Sequence, residues 1–270
     1  MSVNPNEILI DDNTPDDGLL NPVVDGEPKG LGYDPSQVVP AMFAPPSEMT
    51  LIPRSEWPAR IKEQEETKSR TSDILLAAGI PSMDQGLNGY CWGHSTVGCV
   101  QSVRAINNQP HVPLSAYMVC AILKNGRNEG GWSGLSAKFL REHGVCSQKL
   151  WPQGDRNTRL DTPEVRANAA LHKVTEEWVD LTQSVYDQNL TFDQLATCLL
   201  LNIPCAIDLD WWSHAIMACD LVEVEAGSFG VRIRNSWGDS WGDKGFGILR
   251  GNKAVPNGAL AIRVTMASTN

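Results

Sequence analysis

The sequence lacks any long apolar segment. No run approaches the roughly 20 consecutive apolar residues that span a bilayer. The N-terminal stretch MSVNPNEILIDDNTPDD has neither a basic start nor an apolar run of about seven residues or more. We therefore expect no membrane partner and no secretion signal. The expected location is the cytoplasm, or a protein assembly that carries the chain.

Basic residues are scarce as well. The 270 residues include 22 lysines and arginines against 32 aspartates and glutamates, so the formal net charge is −10. An acidic chain is repelled by the phosphate backbone of nucleic acids and by anionic membrane surfaces. We therefore expect no nucleic-acid partner.

Motifs that bind metal ions are missing too. There is no CxxC pair and no group of cysteines and histidines at metal-ligand spacing, so we expect no metal and no cofactor. The seven cysteines are odd in number, and most lie in apolar contexts such as YMVCAI and ATCLLL. This pattern is typical of small buried side chains in a reduced protein, not of a disulfide framework.

Acidic residues and prolines are concentrated at the start of the chain. Residues 1–50 contain nine aspartates and glutamates against Lys29 alone, and eight of the 17 prolines. Such a composition predicts an extended arm that is disordered in isolation. Its short apolar patches, among them EILI and QVVPAMF, suit a strand that packs on something else.

The rest of the chain changes character near residue 191. Before that point, patterns predict helices over residues 60–78, from Cys91 to about residue 107, and in PLSAYMVCAILKNG, GLSAKFLREHG and DTPEVRANAALHKV. After the helical stretch TFDQLATCLLLN, β-rich runs alternate with Gly and Asp turns as far as GALAIRVTM. The fold class is therefore expected to be α+β.

Cys91, in DQGLNGYCWGHS, is either a buried core thiol or a nucleophile. A thiol attacks well only as the thiolate, and a helix N-terminus with a nearby imidazolium lowers its pKa by several units. His214, in WSHAIMACD, can supply the imidazole, although a single histidine at such a position is more often structural. Asn235, in RNSWGDSWGDKGFGILRG, can accept the second ring N–H and fix the tautomer.

These three segments together resemble the papain family of cysteine peptidases in residues, spacing and order. The resemblance implies a two-lobe fold with a helical left lobe, an antiparallel β-barrel-like right lobe and an extended N-terminal arm. It covers about residues 51–270, with the helical lobe near residues 80–190 and the β lobe near residues 191–270. Residues 1–50 would be a pro-segment or a tether.

The resemblance also implies a catalytic site for peptide-bond hydrolysis through an acyl-enzyme. Cys91 would be the nucleophile, His214 the general base and acid, and Asn235 the residue that orients His214. Gln85 would donate to the developing oxyanion. Two further residues would support the site, because Trp237 would cover the His–Asn pair and Trp92 belongs to the matched Cys-Trp segment.

Substrate-binding residues follow from the same resemblance. Gly130 and Gly131 would form a wall on which the backbone of a polypeptide substrate can lie. Trp211 and Trp212 stand where the family has a loop about twenty residues longer. They would form a new specificity wall, or they would fill the cleft.

Two other departures bear on the site. Secreted relatives join the active-site turn to the glycine wall by a disulfide, and the matching positions here are Asn88 and Asn128. The residue before the base is Ser213 instead of Asp or Asn.

Besides an active peptidase, two alternatives stay open. One is a papain-fold assembly component, such as part of a virion or protein shell, with partners bound through residues 1–50. The other is a thiol transferase or cell-wall amidase.

Overall fold

The structure is a computed structural model. It describes residues 6–46, 49–173, 178–182 and 188–262. The end of the predicted helix in DTPEVRANAALHKV and the end of the β-run GALAIRVTM lie outside the described residues.

Helices dominate the middle of the chain, as the sequence predicts. The α-helices within the described ranges are α1 (Asp17–Leu20), α2 (Trp57–Thr67), α3 (Thr71–Ala77), α4 (Cys91–Ile106), α5 (Ala116–Lys124), α6 (Ser133–His143), α7 (Pro163–Ala170) and α8 (Gln188–Leu200). The helix predicted over residues 60–78 is in fact two helices. Lys68 ends α2 in the left-handed region (φ 54°), and this turn separates α2 from α3.

The strands form a large sheet and a small hairpin. They are β1 (Ile8–Ile10), β2 (Val23–Val24), β3 (Glu27–Pro28), β4 (Val179–Asp180), β5 (Cys205–Leu209), β6 (His214–Glu225), β7 (Ser228–Arg234), β8 (Phe246–Arg250) and β9 (Gly258–Ala261). The large sheet has the order β1-β8-β7-β6-β5-β9-β4, and every pairing in it is antiparallel except β1 with β8. Over the described residues this sheet is open and not a closed barrel. The fold class is α+β, as predicted.

Helix α4 lies at the centre of the molecule. Every residue from Cys91 to Ala105 is buried, which explains the small and apolar character of this stretch. One side of α4 contacts α3, α5 and α6, and the other side contacts β5 and β6. The start of α4 therefore lies at the interface between the helices and the sheet.

The N-terminal arm is packed on the rest of the chain. Strand β1 extends the large sheet, with Leu9 opposite Ile248. Ile10 and Phe43 are buried in the two hydrophobic clusters of the protein. The guanidinium of Arg232, on β7, donates to the carboxylate of Glu7 at 2.5 and 2.9 Å. The apolar patch EILI of the arm therefore packs as a strand, β1, as the sequence predicts.

Membrane-spanning helices were searched for in the described residues. None of the helices there has both the length and the apolar character that crossing a bilayer requires.

Candidate active site

Cys91 is the first residue of α4, and its side chain is fully buried. At this position its backbone N–H has no acceptor within the helix, and the positive end of the helix dipole faces the thiol. The backbone N–H groups of Ala215 and Gly32 are near enough to the thiol to lower its pKa. Ala215 directly follows His214, so the structure brings Cys91 and His214 to the same interface between α4 and β6.

His214 begins β6 and is held by Asn235, just beyond the end of β7. The ring Nε2 lies 2.9 Å from the Asn235 side-chain oxygen, which can only accept. Nε2 therefore carries the proton, and Nδ1 keeps its lone pair. Nδ1 is buried and has no hydrogen-bond partner among the described residues. The imidazole thus presents a free basic nitrogen in the tautomer that the sequence predicts.

Gln85 is fixed by the segment that follows Asn235. Its backbone N–H donates to the Ser236 carbonyl at 2.8 Å, and its side-chain oxygen accepts from the Ser236 hydroxyl at 2.5 Å. These contacts leave the amide Nε2 to donate to the carbonyls of Gly30 and Asn88, at 2.9 and 2.8 Å. The donor end of Gln85 is therefore oriented before any substrate arrives.

The sequence profile described as papain family cysteine protease matches residues 77–220. This range is more than half of the chain, and it includes Gln85, Cys91 and His214. The chain belongs to the papain family of cysteine proteases.

Individual relatives agree with this assignment. The chain is 26% identical over 196 residues to the probable cysteine protease RDL6 of Arabidopsis thaliana, covering 66% of this chain and 54% of RDL6. It is 25% identical over 200 residues to zingipain-2 of Zingiber officinale, covering 68% of this chain and 88% of that protein. The chain thus spans about half the length of some curated relatives and most of others.

Solved structures show the same fold. The procathepsin B S9 of Trypanosoma congolense superposes with a TM-score of 0.61 at 15% identity, covering 88% of this chain and 87% of that one. These comparisons show the papain-like fold and the protease family. They give no support to the alternative of a virion or shell component.

The glycine pair of the papain-like chain lies beside Cys91, over an aromatic face. A Cβ on Gly131 would lie 2.6 Å from the ring of Trp92, so only glycine fits there. Trp92 is itself fully buried, and its indole N–H donates to the Gly89 carbonyl at 3.0 Å. Gly130 uses its carbonyl to accept from the Gln37 side chain at 3.1 Å. The close packing on Trp92 requires a glycine at position 131.

Residues 30–34 of the arm occupy this cleft. Gly131 donates to the Gly32 carbonyl and accepts from the Asp34 N–H, both at 2.8 Å. Tyr33 forms a parallel bridge with Gly131, and its N–H donates to the Ser213 carbonyl at 3.1 Å. The arm thus pairs with the backbone of the glycine wall through Gly131 and with the backbone of Ser213.

Burial decides the ionisation of the Cys–His pair in this state. It raises the pKa of the Cys91 thiol to about 12 and lowers the pKa of His214 to about 4. The N–H groups around Cys91 lower its pKa, but they do not offset the loss of hydration. With the arm in place, both groups are therefore neutral near pH 7.

The tryptophans of the site form a buried cluster around His214. The ring centroid of Trp237 lies 4.9 Å from that of His214, and Trp212 lies 5.1 Å from it. Trp212 is fully buried, and its N–H donates to the Leu19 carbonyl of the arm at 2.9 Å. Trp211 is only half-buried and stacks on Trp212 at 5.2 Å. The structure therefore places Trp212 behind the imidazole, with Trp211 nearer the surface.

Hydrogen bonds link the segments that a disulfide joins in secreted relatives. The Asn128 side-chain oxygen accepts from the Gly89 N–H at 2.8 Å. The Asn88 amide donates to the Tyr117 hydroxyl at 2.7 Å. The active-site turn and the glycine wall are therefore still connected here, without a covalent bond.

Several residues of this region were not predicted from the sequence. Ser236 holds Gln85, Tyr33 covers the cleft, and Ser133 and Asp208 form a buried polar pair at 2.5 Å. Ser236 belongs to the Asn-Ser-Trp-Gly segment, so its place beside Asn235 was a usable signal. Nothing in the local sequence around Asp208 indicates its position, since a charged residue within a strand usually faces solvent.

Proposed function

We propose that the protein is a cysteine peptidase that hydrolyses polypeptides through Cys91, His214 and Asn235, and that residues 30–34 keep it latent. The observation that carries the proposal is the convergence of Cys91, the His214–Asn235 pair and the Gln85 amide beside α4 in a papain-family chain. The division into an arm of residues 1–50 and a catalytic domain of residues 51–270 is part of this proposal. The cytoplasmic or assembly location remains a prediction.

The chemistry begins with a proton transfer from Cys91 to Nδ1 of His214. The thiolate then attacks the substrate carbonyl carbon and forms a tetrahedral intermediate. The imidazolium gives its proton to the leaving amine as the C–N bond breaks, which leaves an acyl-enzyme. A water molecule, deprotonated by the same nitrogen, attacks the thioester carbonyl and releases the acid and the thiol. Asn235 holds the ring orientation in each step.

Two donors would stabilise the negative oxygen of the intermediate. One is the Nε2 group of Gln85, which now donates to the Gly30 carbonyl. The other is the backbone N–H of Cys91 at the start of α4. Loss of one such donor typically raises the barrier by about 3 kcal/mol. The Gly30 carbonyl occupies the donor that a substrate carbonyl would use.

The same contacts favour an inhibitory arm over a simple tether. The N–H of Gly32 faces the thiol and lowers its pKa, and an N–H offers no carbon for the sulfur to attack. The segment therefore blocks the cleft through the Gly30 carbonyl at Gln85 and the N–H of Gly32 at Cys91. The fold resemblance to a structure described as a pro-form is consistent with a retained pro-segment.

Displacing the crossing segment tests the proposal. A Cβ on Gly32 would overlap with the carbonyl of Gly89, and one on Gly30 would overlap with the carbonyl of Asn88. We expect Gly32→Ala to move residues 30–34 out of the cleft while β1 stays docked. The variant should react with an epoxysuccinyl reagent at Cys91 at least tenfold faster than wild type near pH 7, and should hydrolyse peptides.

Matched variants control for indirect effects. Gly18→Ala adds a methyl group that meets nothing within 4 Å, so it should label at the wild-type rate. Labelling should vanish in Gly32→Ala combined with Cys91→Ala, as seen by mass spectrometry of the labelled peptide. The peptidase proposal is refuted if the Gly32→Ala and Gly30→Ala chains are folded but neither react with the reagent nor hydrolyse peptides.

A further inference from the structure

Asp208 is a buried carboxyl group that the proposed chemistry does not use. It lies on β5, its side chain is fully buried, and its Oδ1 accepts from the Ser133 hydroxyl at 2.5 Å. Its Oδ2 is also buried and has no hydrogen-bond partner among the described residues. Leaving a buried polar atom unpaired costs about 1–3 kcal/mol. An unpaired buried atom needs a physical explanation. A ligand group that binds there would provide one.

The position of Asp208 is next to the reaction centre. In the β5–β6 ladder it stands opposite Ala215, whose N–H reaches the Cys91 thiol. Its bonded partner Ser133 begins α6, two residues after Gly131. Asp208 therefore lies on the wall that continues from the glycine pair, on the side of the cleft formed by the sheet.

The side chain of Tyr33 lies near this carboxyl. The backbone of Tyr33 is bridged to Gly131, and its side chain is buried. Burial raises the pKa of the Tyr33 phenol, and the nearby carboxylates of Asp208 and Asp210 raise it further. Within the described parts of the chain, neither carboxylate is in an ion pair. Tyr33 thus occupies a pocket next to two acidic groups.

We propose that Asp208 makes this peptidase selective for substrates with a lysine or arginine side chain at the residue that pairs with Gly131, in the pocket now filled by Tyr33. The inference rests on the proposed peptidase function. A basic side chain gives Oδ2 a donor and favours the ionised form of a carboxyl that burial otherwise keeps protonated. A charge-assisted hydrogen bond is also roughly twice as strong as a neutral one. Asp210, which is exposed at the end of β5, adds charge of the same sign at the pocket.

Substrate preference in the full-length Gly32→Ala chain is the first test. The test uses fluorogenic peptides that differ at a single residue, the one that pairs with Gly131. That peptide residue is arginine, lysine, leucine or phenylalanine. We expect kcat/KM for arginine and lysine to exceed that for leucine at least tenfold. Asp208→Asn keeps the shape and the Ser133 contact, and it should remove this preference while leucine hydrolysis stays within about threefold. The matched control Asp210→Asn should change the preference less than Asp208→Asn does.

The intact arm allows a second test that needs no catalysis. Tyr33→Lys places a cationic side chain in the pocket, and Tyr33→Met places a neutral side chain of similar length there. A double-mutant cycle compares each substitution in the wild-type chain and in the Asp208→Asn chain. Tyr33→Lys should lower the melting temperature by several degrees more in the Asp208→Asn chain than in the wild-type chain. Tyr33→Met should show no such dependence.

The two tests separate the two proposals. If the melting-temperature cycle shows coupling but no peptide is hydrolysed, the pairing of Asp208 with a cation in this pocket stands, whereas the peptidase function and the substrate selectivity that rests on it fail. A preference for leucine or phenylalanine that Asp208→Asn leaves unchanged overturns the inference and leaves the peptidase intact. A cycle with no coupling between position 33 and Asp208 overturns it as well.

Discussion

At the scale of single residues, the bond between His214 and Asn235 determines which imidazole nitrogen can act as a base. Asn235→Ala removes the acceptor of Nε2, at 2.9 Å, and among the described residues no other acceptor for this buried N–H is seen. We expect kcat/KM of the Gly32→Ala enzyme to fall about 5- to 150-fold, which corresponds to the roughly 1–3 kcal/mol of a lost buried hydrogen bond. Steady-state hydrolysis of one peptide measures this effect.

A distant asparagine serves as the control for that prediction. Asn107 lies just after the last residue of α4, where its amide donates to the Val103 carbonyl at 2.9 Å. Asn107→Ala should leave kcat/KM within about twofold. Equal losses in both variants would mean that Asn235 acts through stability and not through His214.

The residues of the site differ in how far the sequence predicts them. Cys91, His214 and Asn235 are recognisable because the residues around each one form an extended motif with fixed spacing. Tyr33 and Asp208 are not, because their meeting depends on where a proline-rich arm crosses the folded chain. Charge and composition indicate that such an arm exists, but they do not determine its path.

At the scale of secondary structure, the crossing segment depends on the docking of β1. Arg232 lies between Glu7 of the arm and Asp220 of β6, and the side chains of this group are at most 6% exposed. The apolar run EILI predicts a strand that needs a partner, but it does not identify the edge at β8. The buried ion group joins Glu7 of the arm to β7 and β6 in the register observed.

Glu7→Ala tests the contribution of this group to stability. Removing one partner of a buried ion pair typically costs 3–5 kcal/mol, because the remaining charge stays buried without the opposite charge that compensated it. We expect a loss of about 3 kcal/mol in the free energy of unfolding in urea, with faster labelling of Cys91 as the arm loosens. Glu225→Ala breaks an exposed pair with Arg250 and should cost under about 1 kcal/mol. Similar losses in the two variants would contradict the role given to Glu7.

At the scale of the whole molecule, the groups buried at the interface of the helices and the sheet set a pH window for stability. Burial raises the pKa of Asp208 to about 8 from an ordinary 3.8, so the folded chain holds a proton that the unfolded chain releases. The free energy of unfolding therefore falls as pH rises from about 4 to 8, by about 1.4 kcal/mol per unit.

Two buried histidines act in the opposite direction at lower pH. Burial lowers the pKa of both His94 and His214 to about 4 from an ordinary 6.5, so below pH 6.5 the unfolded chain binds protons that the folded chain excludes. Their combined slope, about 2.8 kcal/mol per unit, exceeds that of Asp208. Burial also lowers the pKa of His111 and of His172, which adds to the loss at acidic pH.

The sum of these slopes predicts maximal stability near pH 6.5, with losses on both sides. Urea midpoints of the wild-type chain at pH 5, 6.5 and 8 should therefore be highest at 6.5. Asp208→Asn should abolish the fall from 6.5 to 8, since it removes the group responsible, and His94→Gln should reduce the fall from 6.5 to 5. A wild-type chain that becomes more stable from pH 6.5 to 8 would show that Asp208 is already ionised in the latent state. Its carboxylate would then have to be solvated beneath Tyr33, contrary to the buried geometry on which the slope depends.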